Sequence, residues 1–497
     1  MRILCLAICL CFGIGAAVAE TALRVAVVGL PRTQGHPYAV SNLPAIYVFT
    51  AIYDALTFVD GEGRVTPWLA TAWRQTSPTT WEFDLRDGVT FSNGEPFDAA
   101  AVVASVDYLT SPAARGDTSA SELSSLAGAR ALDRLTVEIA TNVPNPVLHR
   151  EVSALRIIAP RHWATVGPDG YARAPVGTGP FRAERWEAAR ISLAAFSGSW
   201  RPPRVDRLEF RALPEMSSRV QGLLSGQIDM AFALRVDEQP LLEAAGHRLQ
   251  ANRGTGVFTI ALNVEQDARF QDVRVRQALN LAIDRAGISR NLLAGKIAPA
   301  SQFTPPNATG YDPDLKPYPY DPDRARALLA EAGYPDGFSF VFEGVMGGAV
   351  SDGALFQQIA ADLAKVGVRM DIRPILLHQL SAFMHSDGGW SGSAFGTDYG
   401  TAPSLDSLRS LKLHSCLHAF KWFCDAEGLP LLQRALAAPT EAERTALTRQ
   451  VFRRYYDLYP AILLWDIVYF DGIRNEVGEV PAVGTWIVYD RIEKRAE

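Results

Sequence analysis

The run Trp81-Glu82-Phe83-Asp84-Leu85-Arg86-Asp87-Gly88-Val89-Thr90-Phe91-Ser92-Asn93-Gly94-Glu95-Pro96-Phe97 is the stretch from which the fold is read. Its first five residues alternate, with Trp81, Phe83 and Leu85 on one side and Glu82 and Asp84 on the other, the period of a half-buried strand. Arg86-Asp87-Gly88 makes a turn, and Phe97–Leu109 reads as a helix with Asp98 as its cap. The result is a compact α+β unit. Its motif residues read first as scaffold: Gly88 and Gly94 for turns, Leu85 and Val89 for a core, Arg86 to pin a neighbouring carboxylate or carbonyl.

Upstream, Leu23–Leu30 is a short β-branched strand that runs into a Pro/Gly loop, Pro31–Ser41, where α/β folds place ligands. Downstream, Leu135–Ala140 adds a strand and Gly177–Phe181 a rigid loop that opens a strand-rich section ending near Leu213. Ser217–Ser225 reads as a helix, followed by a turn into a buried strand at Ile228–Ala231. After the strand Val257–Asn263 the composition changes, and a lobe boundary is expected there. A Pro-rich crossing segment (Pro305–Pro322) precedes the helix Asp323–Glu331; Phe338–Phe342, Ala354–Val366 and Val368–Arg373 then form a β-α-β unit.

Composition narrows the function. The 497 residues carry 48 Lys+Arg against 54 Asp+Glu, a net charge of -6, and 48% hydrophobic residues. That is a globular mixture large enough for about three lobes, and it lacks the concentrated basic surface that nucleic acid requires. Ile3–Ala19 is an apolar run after Arg2 that ends Ala17-Val18-Ala19, so residues 1–19 read as a cleavable export signal with the mature chain starting at Glu20. None of Cys5, Cys9 and Cys11 follows a small residue, which argues against a lipid anchor. Cys416 and Cys424 remain as a pair in an oxidising compartment, where a disulfide is the first reading; His414 and His418 beside them give a zinc site as the alternative.

Several motifs fall in one order: Tyr53-Asp54-Ala55-Leu56, Pro67-Trp68-Leu69-Ala70, the Trp81–Phe97 run, Val176–Phe181 (VGTGPF), Arg274–Arg285 (RVRQALNLAIDR) and Tyr320–Gly337 (YDPDRARALLAEAGYPDG). In this the chain resembles the extracytoplasmic solute-binding proteins of ABC transporters, the oligopeptide, dipeptide and nickel class known as family 5. The resemblance implies an α/β two-lobe clamp of the periplasmic-binding-protein type with a small extra α+β subdomain. On that pattern 20–43, 175–262 and 470–497 form the core of lobe I, 44–174 the extra subdomain, and 263–469 lobe II. The implied function is capture of a peptide or peptide-like solute in the periplasm and delivery to inner-membrane permease subunits, by a monomer with no cofactor and no reaction.

The resemblance further implies a carboxylate that receives the ligand's ammonium three residues after an aromatic, and Phe395-Gly396-Thr397-Asp398 fits, with Tyr399 beside it. The sequence departs from the family in having Phe395 where Trp is usual, and Tyr399-Gly400-Thr401-Ala402-Pro403 where an acidic-Pro pair is usual. Asp406 compensates if the loop folds back, or is an ordinary helix cap. His36 and Tyr38 in the first loop, and Met346 and Gly347 after a strand, are further cleft candidates, as are the backbone amides near Gly348, Ser351 and Asp352. Trp390 and Trp422 read first as core and second as pocket walls. Asp466, inside the apolar run Ala461–Phe470, requires a partner, with a buried Arg as the first expectation. Two other classes stand beside this: the same fold carrying a metal chelate, haem, opine or sugar, and a secreted hydrolase. For the hydrolase, Gly389-Trp390-Ser391-Gly392-Ser393 lacks the last glycine of a nucleophile elbow.

Overall fold

Two strands much longer than the rest, Arg248–Leu262 and Ala461–Ile473, run antiparallel through the middle of the molecule and join its halves. The computed structural model describes residues 20–40, 43–346, 353–384 and 389–495, so the export signal, Gly347, Gly348, Ser351 and Asp352 lie outside the described residues. The large sheet consists of β1 (Ala22–Val27), β2 (Phe181–Trp186), β3 (Arg190–Ala195), β4 (Arg207–Ala212), β5 (Met230–Leu234), β6 (Arg248–Leu262), β7 (Phe338–Val345), β8 (Val368–Ile375), β9 (Ala394–Gly400) and β10 (Ala461–Ile473). Their order is β8-β7-β9-β6-β10-β5-β1-β4-β3-β2. β1 pairs in parallel with β4 and β5, and β7 in parallel with β8 and β9, so each half has its own parallel centre. The crossing strands β6 and β10 form the seam.

That seam is interrupted twice, at Leu464, which has no partner between the Phe258 and Thr259 pairings, and more widely near its middle. Arg253 pairs with Val468 and Val257 with Asp466, so Gly254, Thr255 and Gly256 all stand opposite Ile467. A Cβ on Gly254 would lie 2.7 Å from the Ile467 carbonyl oxygen, so the backbones can approach this closely only with glycine there. The sequence expectation of a strand starting at Val257 thus captured only the distal half of β6; the two glycines conceal its continuation back to Arg248.

A separate four-stranded antiparallel sheet, ordered Ala70–Ser77, Thr80–Leu85, Thr136–Thr141, Leu126–Ala131, packs with the helix Ala99–Thr110 as the extra subdomain. Asp98 caps that helix by accepting from the Ala100 N–H at 3.0 Å. Arg86 donates through Nε to the Trp68 carbonyl at 2.9 Å, the pinning expected of it. One apolar cluster runs from Leu23 and Val25 of β1 through Phe83, Val102 and Ile139 of the subdomain to Ile473 and Ile492, so the subdomain shares a core with the lobe that contains β1. The other half has two clusters, one on each face of β9: Ile260, Phe342, Phe356 and Ile462 on one side, Phe303, Phe395, Trp422 and Phe452 on the other.

The motif residues converge on a buried carboxylate. Asp54, 2% exposed, accepts from the indole N–H of Trp68 (2.7 Å) and of Trp200 (3.0 Å), the Thr178 hydroxyl (2.8 Å), and Nε and Nη2 of Arg201 (2.9 and 2.7 Å). Tyr53-Asp54, Pro67-Trp68 and the VGTGPF loop therefore meet at one point, and Gly177 is required because a Cβ there would strike the Ile52 carbonyl. Asp312, expected on a solvated surface, is instead buried and paired with Arg453.

Cys416 and Cys424 are joined in a disulfide, with 4.4 Å between their Cα atoms. It closes the loop that presents His414 and Trp422 to β9. Replacing both cysteines with serine should lower unfolding free energy by about 2 to 3 kcal/mol through the entropy restored to the unfolded chain. Denaturant titration of oxidised wild type against the double variant measures it, and an unchanged midpoint would show that the crosslink contributes nothing.

Candidate functional site

β9 alternates, and its two faces have different fates. Phe395, Thr397 and Tyr399 point into the Trp422 core: the Phe395 ring stacks on Trp390 at 3.6 Å and meets Trp422 edge-on at 5.0 Å, while Tyr399 stacks on His414 at 3.8 Å. The three sequence candidates Phe395, Trp390 and Tyr399 therefore have their rings in packing, where they hold the strand rather than face a ligand. The opposite face carries Ala394, Gly396, Asp398 and Gly400, all small except Asp398.

Asp398 lies deep in the body of the protein yet keeps exposed surface, as a carboxylate on the wall of an internal cleft would. Its Oδ2 rests against two glycines, 2.8 Å from where a Cβ on Gly400 would sit and 3.3 Å from one on Gly256 of the seam. No side chain among the described residues hydrogen-bonds or ion-pairs with its carboxylate. The strand end is fixed from behind, since His414 Nε2 lies 3.0 Å from the Asp398 carbonyl oxygen. Burial pushes the His414 pKa down to about 3, so the ring is neutral and Nε2 carries the proton that it donates. Burial likewise pushes the Asp398 carboxyl up, and the positive charge of Arg409 pulls it back.

Two more strained carboxyls lie along β10. Asp466, next to the seam interruption, is pushed up to about 6 by burial, with Arg253 on the paired strand opposing the shift. The Arg expected to accompany Asp466 is thus the exposed Arg253 and not a buried one. Asp471, 2% exposed, is pushed up to about 7 by burial although it accepts from the Ala233 N–H (3.3 Å) and Asn252 Nδ2 (2.7 Å). Tyr469 sits between, its phenol raised by burial and by the charges of Asp398 and Asp471. Sequence reasoning missed Asp471, because it lies just beyond the apolar run that drew attention to Asp466.

The remaining candidates do not join this group. His36 and Tyr38 are buried in an aromatic cluster with Tyr108 and Trp163: His36 Nδ1 accepts from the Tyr38 and Ala39 N–H groups, and the Tyr38 hydroxyl donates to the Arg156 carbonyl at 2.7 Å. They shape the loop after β1. Met346 packs partly buried against the Phe342 core, and Gly347 lies outside the described residues. The sulfurs that a zinc site would need are joined to each other, and no metal-binding group of three or more His, Cys, Asp or Glu occurs among the described residues. Ser391 of the incomplete elbow donates at 2.6 Å to the buried Glu343, which also pairs with Arg373, rather than to a histidine base. Asp406 is a cap, accepting from the Leu408 N–H at 3.3 Å, but a buried one that also pairs with Arg444 at 2.6 Å.

The extra subdomain also touches the far half of the molecule. Arg409 Nη2 pairs with Glu122 at 2.7 Å, and Arg150 donates to the carbonyls of Gly63 (2.7 Å) and Ser404 (3.3 Å) with Glu441 at 3.4 Å. Val59, Ala308 and Leu405 make a small apolar contact between the same parts. Beside it lies a cavity of about 290 Å³ lined by residues including Glu122, Ser125, Asn145, Asp406, Arg409 and Lys412. None of these pairings has a local signal, since Glu122 and Arg409 are 287 positions apart.

The family model described as bacterial extracellular solute-binding proteins, family 5 Middle, matches residues 64–411. The chain is 30% identical over 445 residues to the glutathione-binding protein GsiB of Escherichia coli K12, covering 85% of each. Among solved structures it is similar to the periplasmic binding protein DppA of Helicobacter pylori in complex with the peptide STSA (TM-score 0.79, 23% identity, 96% of this chain and 98% of that one). It is also similar to NikA of Brucella suis in complex with Fe(III)-EDTA (TM-score 0.82, 22% identity, 96% and 100%). The shared fold is the two-lobe clamp of the type II periplasmic binding proteins, as expected from the sequence.

Asp471 gives a test by pH. Its folded pKa of about 7 exceeds the ordinary 3.8, so the fold disfavours its charge. The penalty is complete above about pH 7, shrinks as pH falls, and is gone near pH 4, where the unfolded chain also binds the proton. Asp471→Asn keeps an acceptor for Asn252 and should be more stable than wild type by a few kcal/mol at pH 8, the gain vanishing towards pH 4. Denaturant melts at several pH values check it; a gain independent of pH would show that Asp471 is not the titrating group.

Proposed function

The chain belongs to the bacterial extracellular solute-binding proteins of family 5, and we propose that it captures a peptide or peptide-like solute in the periplasm and hands it to the permease of an ABC importer. It is a binding protein and not an enzyme. Among the described residues no helix is long and apolar enough to cross a membrane. Export follows from residues 1–19, read as a cleaved signal, and the working form is a monomer. The lobes are 20–43, 175–262 and 470–497 with the extra subdomain 44–174 on one side, and 263–469 on the other. The hinge is the seam where Gly254-Thr255-Gly256 faces Ile467.

The observation that carries the peptide reading is the unpaired carboxylate of Asp398 on the cleft wall. A free ammonium loses its hydration when the lobes close, and the closed complex is favoured only if an anion replaces that water. Asp398 is held in position by the aromatic stack behind β9 and by the His414 hydrogen bond to its carbonyl, so it needs little reorganisation to accept the charge. Closure then follows from the solute's better fit to the shut state, and the permease reads that state. The peptide complex of DppA and the name of the GsiB relatives support an amine-bearing solute, and the metal-chelate complex of NikA marks the alternative cargo.

Native mass spectrometry of protein released gently from the producing cells identifies retained cargo by mass, and a chelate, haem, opine or sugar there would overturn the peptide reading. Asp398→Asn should weaken binding of a free-amine peptide by about 2 to 5 kcal/mol while leaving its N-acetylated form little changed. Calorimetry that finds equal affinities in variant and wild type removes Asp398 from the site.

A further inference from the structure

Asp398 has a competitor for the ammonium in its own protein. Arg409 is the cation that acts on its carboxyl, and the point 2.8 Å from Asp398 Oδ2 where a Gly400 Cβ would sit is only 3.9 Å from Arg409 Nη1. Yet the guanidinium is turned away: Nη1 donates to the Gly400 carbonyl at 3.2 Å, and Nη2 pairs with Glu122 at 2.7 Å. Glu122 belongs to the extra subdomain, which shares its core with the lobe containing β1, whereas Arg409 and Asp398 both belong to the other half. The Glu122–Arg409 pair therefore joins the two halves across the clamp.

Resting on the reading of Asp398 as the amine anchor, we infer that Glu122 is a positioning residue that frees Asp398 on closure. In the open clamp Glu122 has withdrawn. Asp406 on the same half is held by Arg444, so Arg409 swings onto the unpaired Asp398 and neutralises it. Closing brings Glu122 to Arg409, draws the guanidinium off and leaves the Asp398 charge for the solute's ammonium. The exchange is balanced in charge: two pairs, Arg409 with Glu122 and ammonium with Asp398, replace one internal pair and two solvated ions. Amine recognition and closure become one event, because a solute without an amine leaves Asp398 unpaired in the shut cleft and favours the return of Arg409.

The probes are trialanine and Nα-acetyl-trialanine, titrated by calorimetry into wild type, Glu122→Gln, Arg409→Met and the double variant. Glu122→Gln should weaken trialanine tenfold or more with little effect on the acetylated peptide. The double variant should recover most of that loss, because without Arg409 nothing masks Asp398. Equal weakening of both peptides by Glu122→Gln, with no recovery in the double variant, would show that the pair is only a closing contact and overturn the inference while leaving the amine anchor intact. Wild type that fails to prefer trialanine over its acetylated form would instead bring down the reading of Asp398, and this inference with it.

Discussion

The main-chain ladder between β6 and β10 constrains everything else. Because each strand spans both halves, neither half can shift without bending the ladder, and the ladder's regular pairing lapses at two places, at Leu464 and at Gly254-Thr255-Gly256 against Ile467. Gly256 is at once part of that lapse and part of the shelf under the Asp398 carboxylate. Asp398, the proposed amine anchor, therefore lies beside that lapse in the ladder.

The extra subdomain also reaches the other half. Arg409, whose Nη1 donates to the Gly400 carbonyl beside the seam, pairs with its Glu122, and Arg150 and the Val59–Leu405 contact add further ties. Exposed ion pairs contribute little, but Arg150 is 6% exposed and its donors reach carbonyls, so this contact is desolvated and directional. The two halves are thus joined by groups of the subdomain as well as by the crossing strands.

Most of the fold was legible because its signals are local. The alternation at Trp81–Leu85, the Asp98 cap, the helix Pro322–Glu331 capped by Asp321 and the β-α-β unit after Phe338 each declare themselves within a dozen residues. The site was legible only in part. Asp398 came from motif spacing, whereas Phe395, Tyr399 and Trp390 carry the same aromatic signal whether they line a cleft or a core, and only the alternation of β9 about a two-sided core decides. His36 and Tyr38 failed for a similar reason: a polar ring in a loop after a strand is equally suited to tying down that loop. Arg409, Glu122 and Asp471 were invisible because their meaning lies in partners distant in sequence.

The Asp54 junction bears on how such a protein can change. Its donors come from both sides of the subdomain boundary, Trp68 from within the insert and Thr178, Trp200 and Arg201 from the host lobe. Deleting the insert would leave the host Arg201 with Asp490 alone and the Trp200 indole without its acceptor, and grafting the insert elsewhere would leave the buried Asp54 carboxylate without its arginine. Any exchange of the insert must therefore rebuild a buried ion pair, whereas a substitution elsewhere in the chain leaves that junction intact.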